Sequence, residues 1–122
     1  MAGEQCAGVL GGASGETLEH AAAVFGVLAS PVRLRILQVL SQGESDVAHL
    51  AEQVGGALST ISQHLSALTR SGLVAAHRDG RRRVYFIDDP AGVAAMRIVV
   101  ERVSRRTDAG IVAAGEAHRG AP

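Results

Sequence analysis

The chain has 122 residues, enough for one small domain, with twelve Arg matched by twelve Asp and Glu, no Lys, 47% hydrophobic and 2% aromatic residues. That hydrophobic content excludes an intrinsically disordered chain, and the single cysteine, Cys6, excludes an intrachain disulfide scaffold or a cysteine-rich zinc site. No apolar run approaches the roughly 20 residues that span a bilayer, and Glu4 stands where a signal peptide is basic, so a cytoplasmic protein without membrane contact is expected.

Taken in chain order, residues 1–15 hold Gly3, Gly8, Gly11, Gly12 and Gly15 with little periodicity and read as a flexible tail. The spacing of Leu18, Ala22, Phe25 and Ala29 predicts a helix over 16–29. Ser30-Pro31 reads as an N-cap with proline at the first helical position. The helix that follows, over 32–40, carries Leu34, Leu37 and Leu40 with Ile36 alongside, and Gly43 ends it. A start signal at Ser45 or Asp46 opens a short amphipathic helix through Val54, with Val47, Leu50, Ala51 and Val54 on one face. Gly55-Gly56 breaks it. The next helix, over 58–71, sets Leu58, Ile61, Leu65 and Leu68 on one face and turns Ser59, Thr60, Ser62, Gln63 and Ser66 elsewhere, before Gly72 closes it.

From Leu73 the period becomes strand-like. Residues 73–76 and 84–87 are β-formers on either side of Asp79-Gly80, which predicts a hairpin whose turn is longer than two residues and carries Arg78, Arg81, Arg82 and Arg83. Asp89-Pro90 then starts a last helix, in which Val93, Met96, Val100 and Val103 form the narrow stripe of a helix packed on a partner helix. After Asp108 the chain is again rich in Gly and Ala. The expected organisation is a tail over 1–15, a folded domain over 16–107 and a second flexible tail over 108–122.

The zero net charge is unevenly distributed. Residues 1–59 carry net −4, residues 60–87 carry net +4, and residues 88–122 balance five against five. Positive charge concentrated in one short segment points to an anionic partner. The order helix, helix, short helix, tight turn, polar-faced helix, arginine-tipped hairpin, long helix is that of a winged helix-turn-helix, mainly α with a small β-hairpin (α-α-α-α-β-β-α). Each part suits duplex DNA. A helix fits the major groove, Gln63 can pair with adenine, and Ser59, Thr60 and Ser62 can serve bases or phosphates. Arginines at a hairpin tip suit phosphate contact or a narrow minor groove. No glycine-rich phosphate loop or nucleophile elbow is present, and capping accounts for Asp88-Asp89, so no enzymatic activity is expected. A winged helix that binds only protein is the rival within the same fold.

The segments Leu28-Ala29-Ser30-Pro31-Val32-Arg33-Leu34-Arg35-Ile36-Leu37, Val47-Ala48-His49-Leu50-Ala51, Ile61-Ser62-Gln63-His64-Leu65 with Leu68, Gly72-Leu73-Val74, Asp79-Gly80-Arg81 and Val84-Tyr85 occur in one register. In them the sequence resembles the ArsR/SmtB family of bacterial metalloregulators, over roughly residues 18–105. The resemblance implies a homodimer built on the first and last helices, with Leu18, Phe25, Val93, Met96, Val100 and Val103 at its interface. It implies a repressor that binds a double-stranded inverted-repeat operator and responds to an effector. It also implies that Ser59, Thr60, Ser62, Gln63 and His64 lie on the recognition helix and that Arg78, Arg81, Arg82 and Arg83 belong to the wing.

The match departs at the sensing positions. Where family members that sense soft metals place cysteines, this chain reads Asp46-Val47-Ala48. At the interhelical site of zinc, nickel and cobalt sensors Asp89 matches, but Ala91, Arg102 and Arg105 occupy the other ligand positions. What remains is scattered: Cys6, His20, Asp108, Glu116 and His118. Of these Cys6, His20 and His118 are the metal candidates, for nickel, cobalt or zinc at a non-standard site. The alternative is a metal-independent regulator controlled by redox at Cys6, a small molecule or a partner protein.

Overall fold

The computed structural model describes residues 11–108. Helices α1 (Gly15–Leu28) and α2 (Pro31–Leu40) are followed by a two-residue strand β1 (Ser45–Asp46), then α3 (Val47–Val54) and α4 (Leu58–Arg70). Strands β2 (Val74–Asp79) and β3 (Arg82–Ile87) lead into the last helix, α5 (Pro90–Arg106). This is a winged helix-turn-helix. Of the expected tails, residues 1–10 and 109–122 lie outside the described residues.

Local chemistry sets the helix starts. Side chains cap four of the five described helices: Ser14, Ser30, Asp46 and Asp89 accept from the backbone amides of Thr17, Arg33, His49 and Gly92. Each satisfies one of the amides that a first helical turn leaves unbonded. Between α3 and α4, Gly55 and Gly56 sit at φ +90° and +105°, a backbone region costly for any residue with a Cβ. That glycine pair makes the turn tight.

The three helices α2, α3 and α4 converge on one aliphatic core. Ile36, Leu37, Leu50, Ile61, Leu65 and Leu68 are fully buried, and Leu73, Val74 and Val84 close the core from the sheet side. From α1, Val24, Val27 and Leu28 lean on the core; from α5, Val93 and Met96 do so. Neither α1 nor α5 contains a fully buried residue. No single described helix is long and apolar enough to cross a membrane.

The sheet differs from the expected hairpin in two ways. It is three-stranded and antiparallel, in the order β1-β3-β2, with Ser45 opposite Tyr85 and Asp46 opposite Val84. The connection between β2 and β3 is a two-residue turn, Gly80-Arg81, because the ladder runs through the arginines to pair Asp79 with Arg82. Gly80 takes φ +66° as the first turn residue, as the primed turns that match strand twist require. Outside the sheet, Leu58 is exposed: α4 begins past the edge of the core, so its first apolar residue has nothing to pack on.

The third strand also gives the hairpin an ionic tie. His77 Nε2 lies 3.1 Å from Glu44 Oε2, and its Nδ1 lies 3.4 Å from the Arg78 carbonyl. Two acceptors facing both ring nitrogens favour the imidazolium. Glu44 first, then the Arg78 carbonyl, hold the His77 pKa above the ordinary 6.5.

Two outcomes follow. Leu65→Ala removes a side chain that is 0% exposed at the centre of the core, and is expected to lower stability by about 2–5 kcal/mol, read by thermal or urea unfolding at fixed protein concentration. The His77 tie is complete below the unfolded imidazole range and fades as pH rises through the raised value. An NMR titration should place the His77 midpoint above 6.5, and Glu44→Gln should bring it down.

Candidate nucleic-acid interface

Helix α4 turns a polar face outward because its apolar residues are consumed. Ile61, Leu65 and Leu68 face the core at 3.6-residue spacing, which leaves Ser59, Thr60, Gln63 and Ser66 exposed and Ser62 half-buried. The N-cap of α4 is Ala57, which makes no side-chain bond to the first turn. The opening amides of this helix therefore keep their hydrogen-bonding capacity and the positive end of the helix dipole. Short hydroxyls, one amide side chain and an uncapped N-terminus form a surface that accepts anions and base edges at close approach.

His64 stands apart from that face. It is half-buried, and its Nδ1 accepts from Arg33 Nε at 3.0 Å, so in the free chain one ring nitrogen is committed within the fold.

The wing divides its four arginines by the pleat of the strands. Arg78 and Arg83 are directly opposed across β2 and β3 and so share a face. Like charges placed opposite one another destabilise a strand pair until an anion bridges them. Arg83 also lies over the Tyr85 ring, 5.8 Å from its centroid. Arg81 occupies the turn. Among the described residues, none of these three forms an ion pair.

Arg82 is engaged differently. Its Nε donates to Asp46 Oδ2 at 2.9 Å, while Asp46 Oδ1 accepts from the amide of His49 at 2.8 Å. The His49 amide first, then the charge of Arg82, hold the Asp46 carboxyl below its ordinary value. One carboxylate thus caps α3 and fastens the turn end of the wing to it. Arg82, expected as a DNA ligand beside Arg78, Arg81 and Arg83, is paired with Asp46 in the isolated chain and braces the wing. Nothing local in the sequence marks that pairing, since the two residues are 36 positions apart.

The expected interface residues on α1 and α5 fall into two groups. Leu18, Phe25, Val100 and Val103 are exposed, Phe25 by 68%, whereas Val93 and Met96 are half-buried against the core. Ile98 and Val99 are exposed as well and widen the apolar face of α5 beyond the expected stripe; the unbroken run Ile98-Val99-Val100 was their signal. Between α2, the end of β3 and α5 lies an open groove of about 870 Å³, lined by Leu34, Leu37, Ile87, Val93, Met96 and Val100.

The residues at the family's interhelical metal positions do not fit a cation. Asp89 Oδ1 is held by the Gly92 amide at 3.0 Å as the cap of α5, and Arg102 and Arg105 are exposed cations along the same helix. His20 lies exposed on α1, while Cys6 and His118 lie outside the described residues. No group of three or more His, Cys, Asp or Glu suited to a metal occurs among the described residues.

Comparisons with known proteins agree with this geometry. The profile described as "Bacterial regulatory protein, arsR family" matches residues 30–76. The chain is 41% identical over 66 residues to the probable mercury resistance operon repressor of Streptomyces lividans, a match that covers 54% of this chain and only 53% of that protein. It is 40% identical over 83 residues to the HTH-type transcriptional regulator Rv0081 of Mycobacterium tuberculosis, covering 67% of this chain and 72% of the relative. The crystal structure of Rv0081 superposes with a TM-score of 0.67 at 35% identity, covering 82% of this chain and 99% of the other. The solution structure of the homodimeric winged helix-turn-helix DNA-binding domain of Mb0332 from Mycobacterium bovis gives 0.66 at 37% identity, covering 79% and 91%. With a helix-turn-helix, an arginine wing, and a relative 40% identical and matched over 72% of its length, the chain belongs to the ArsR family of bacterial transcriptional regulators.

Proposed function

We propose that this chain is a homodimeric transcriptional repressor that grips an inverted-repeat DNA operator with α4 and the wing, and that residues 16–107 form the DNA-binding and dimerisation domain between two tails. The observation that carries the reading is the pairing of two surfaces: the exposed Ser59, Thr60 and Gln63 face of α4, and three arginines of the wing that form no ion pair among the described residues. Gln63 reads a base edge, Ser59 and Thr60 serve bases or phosphates, and Arg78, Arg81 and Arg83 bind phosphate. Ser62, half-buried, and His64, through its second ring nitrogen, complete the contact. Arg82 orients the wing from its place on Asp46.

Dimerisation supplies the second half-site. The exposed Leu18 and Phe25 of α1 and Val100 and Val103 of α5 form an apolar surface on helices that bury nothing completely in the single chain. Covering that surface with a second copy spaces two α4 helices about 34 Å apart, one turn of B-DNA. The homodimeric state of the Mb0332 domain supports this arrangement.

The effector reading is narrower. The relative in Streptomyces lividans is named for mercury resistance. In this chain a divalent transition metal such as nickel, cobalt or zinc would be held away from the interhelical positions, with Cys6, His20 and His118 as its donors. Control by redox at Cys6, a small molecule or a partner protein is the alternative. Calorimetric titration of nickel, cobalt and zinc, with and without bound DNA, separates the two: coupling of metal to DNA affinity supports the first, and its absence supports the second.

For DNA binding, a duplex selected from a random pool is titrated at several salt concentrations. Replacing Arg81 and Arg83 by Ala should weaken binding and reduce the magnitude of the salt slope by about 2. An unchanged slope sinks the DNA-contact reading of the wing. Val100→Asp should place a charge in the dimer seam, cost about 3–5 kcal/mol of association and yield a folded monomer that loses the full operator, as read by sedimentation and DNA titration.

A further inference from the structure

We infer that Arg33 is a positioning residue that couples the dimerisation helix α1 to the recognition helix α4, an inference that rests on the DNA-reading role given to α4 above. Arg33 lies in the first turn of α2, where its amide is held by Ser30 Oγ at 3.3 Å. Its guanidinium reaches in two directions. Nη1 donates to the Val27 carbonyl at 3.1 Å, and Nε donates to His64 Nδ1 at 3.0 Å. Val27 belongs to the last turn of α1, which contains no basic residue of its own. The carbonyls of Gly26 and Leu28 are met by the amides of Ala29 and Ser30, and Arg33 meets the one between them. A single cation on α2 thus terminates α1 and holds the middle of α4.

The bridge spans a seam that packing leaves open. Along their facing sides, α1 and α4 are parted by a groove of about 310 Å³ between Ala23, Val24 and Val27 on one side and Ala67 and Arg70 on the other. Side-chain packing across it is sparse, so the relative setting of the two helices depends on α2 and on the Arg33 fork. The outer face of α1 carries Leu18 and Phe25 of the dimer surface; α4 carries the reading face. Any rotation of α1 within the dimer therefore reaches α4 through the Val27–Arg33–His64 line.

The bridge also selects one form of the imidazole. A guanidinium only donates, so Nδ1 of His64 must be the bare nitrogen and the proton must sit on Nε2. While that bond is made, His64 presents an Nε2–H donor in a fixed rotamer on the recognition helix. Lysine cannot replace this arrangement, because an ammonium on a flexible stem lacks the rigid fork that holds two acceptors in separate directions.

The test uses the full chain and a duplex of about 30 base pairs selected by the wild-type protein, long enough for two half-sites one helical turn apart. Arg33→Met and Arg33→Lys are both expected to bind that duplex about tenfold more weakly, as loss of a charge-assisted bond at a positioning residue implies. The dimer should persist and the salt slope should stay unchanged. In nitrogen-15 correlation spectra of the imidazole, the wild type should show a bare Nδ1 and a protonated Nε2 at His64, and both variants should show mixed tautomers. If Arg33→Met does not fold, Arg33→Lys carries the same measurements. A folded variant dimer that binds as tightly as wild type overturns the inference. So does a salt slope reduced by about 1 in Arg33→Met and restored in Arg33→Lys, because Arg33 would then be a phosphate contact. A wild-type protein that selects no duplex overturns the DNA reading and this inference with it, whereas equal binding by wild type and variant overturns this inference alone.

Discussion

Burial of one face of α4 governs the rest of the molecule. Ile61, Leu65 and Leu68 are removed from water against α2 and α3, and each such side chain contributes about 1.5–3 kcal/mol when fully buried. With that face committed, helical geometry leaves no freedom in where Ser59, Thr60 and Gln63 point. The outward polar face of α4 is a by-product of core formation, held in place by mainly aliphatic packing that Tyr85 joins at its edge. The tight Gly55-Gly56 turn then sets α3 against α4 at a fixed crossing.

Electrostatics divides the labour on the other side of the molecule. The acidic residues Glu44 and Asp46 lie along β1 and its approach and take His77 and Arg82 of the wing as partners. The remaining wing cations, Arg78, Arg81 and Arg83, form no ion pair among the described residues. One short acidic stretch therefore ties one face of the wing to the body, while Arg78 and Arg83 share the other face. Surface ion pairs contribute little to stability, and the value of these two lies in orientation.

Much of this was legible in the sequence because the relevant chemistry is local. Ser30-Pro31, Asp46, Gly55-Gly56 and Asp89-Pro90 each announce a helix boundary within a few residues, and all four boundaries fall within a residue or two of where they were read. The outward face of α4 followed from the spacing of its leucines and isoleucine. The misses have two causes: distance along the chain, and a hydrophobic pattern that does not mark where strand pairing or the core ends. Strand β1 is two residues long and exists only because β3 offers it an edge. The Arg82–Asp46 and Arg33–His64 contacts join residues 36 and 31 positions apart. The turn was read as too long because hydrophobic alternation stops at the arginines, whereas backbone pairing continues through them. Leu58 fits the apolar period but sits beyond the reach of the core.

The two-residue turn at Gly80-Arg81 restricts how this wing can vary in length. Side chains alternate between the two faces of a strand, so a single residue added to one arm shifts its partner register and exchanges inward for outward along that arm. Arg82 would leave Asp46, and Arg83 would take its place against the body of the protein. A longer wing that preserves this division must grow by two residues on each arm, a step of roughly 6.5 Å. The reach of such a hairpin is thereby set in coarse increments rather than by gradual adjustment.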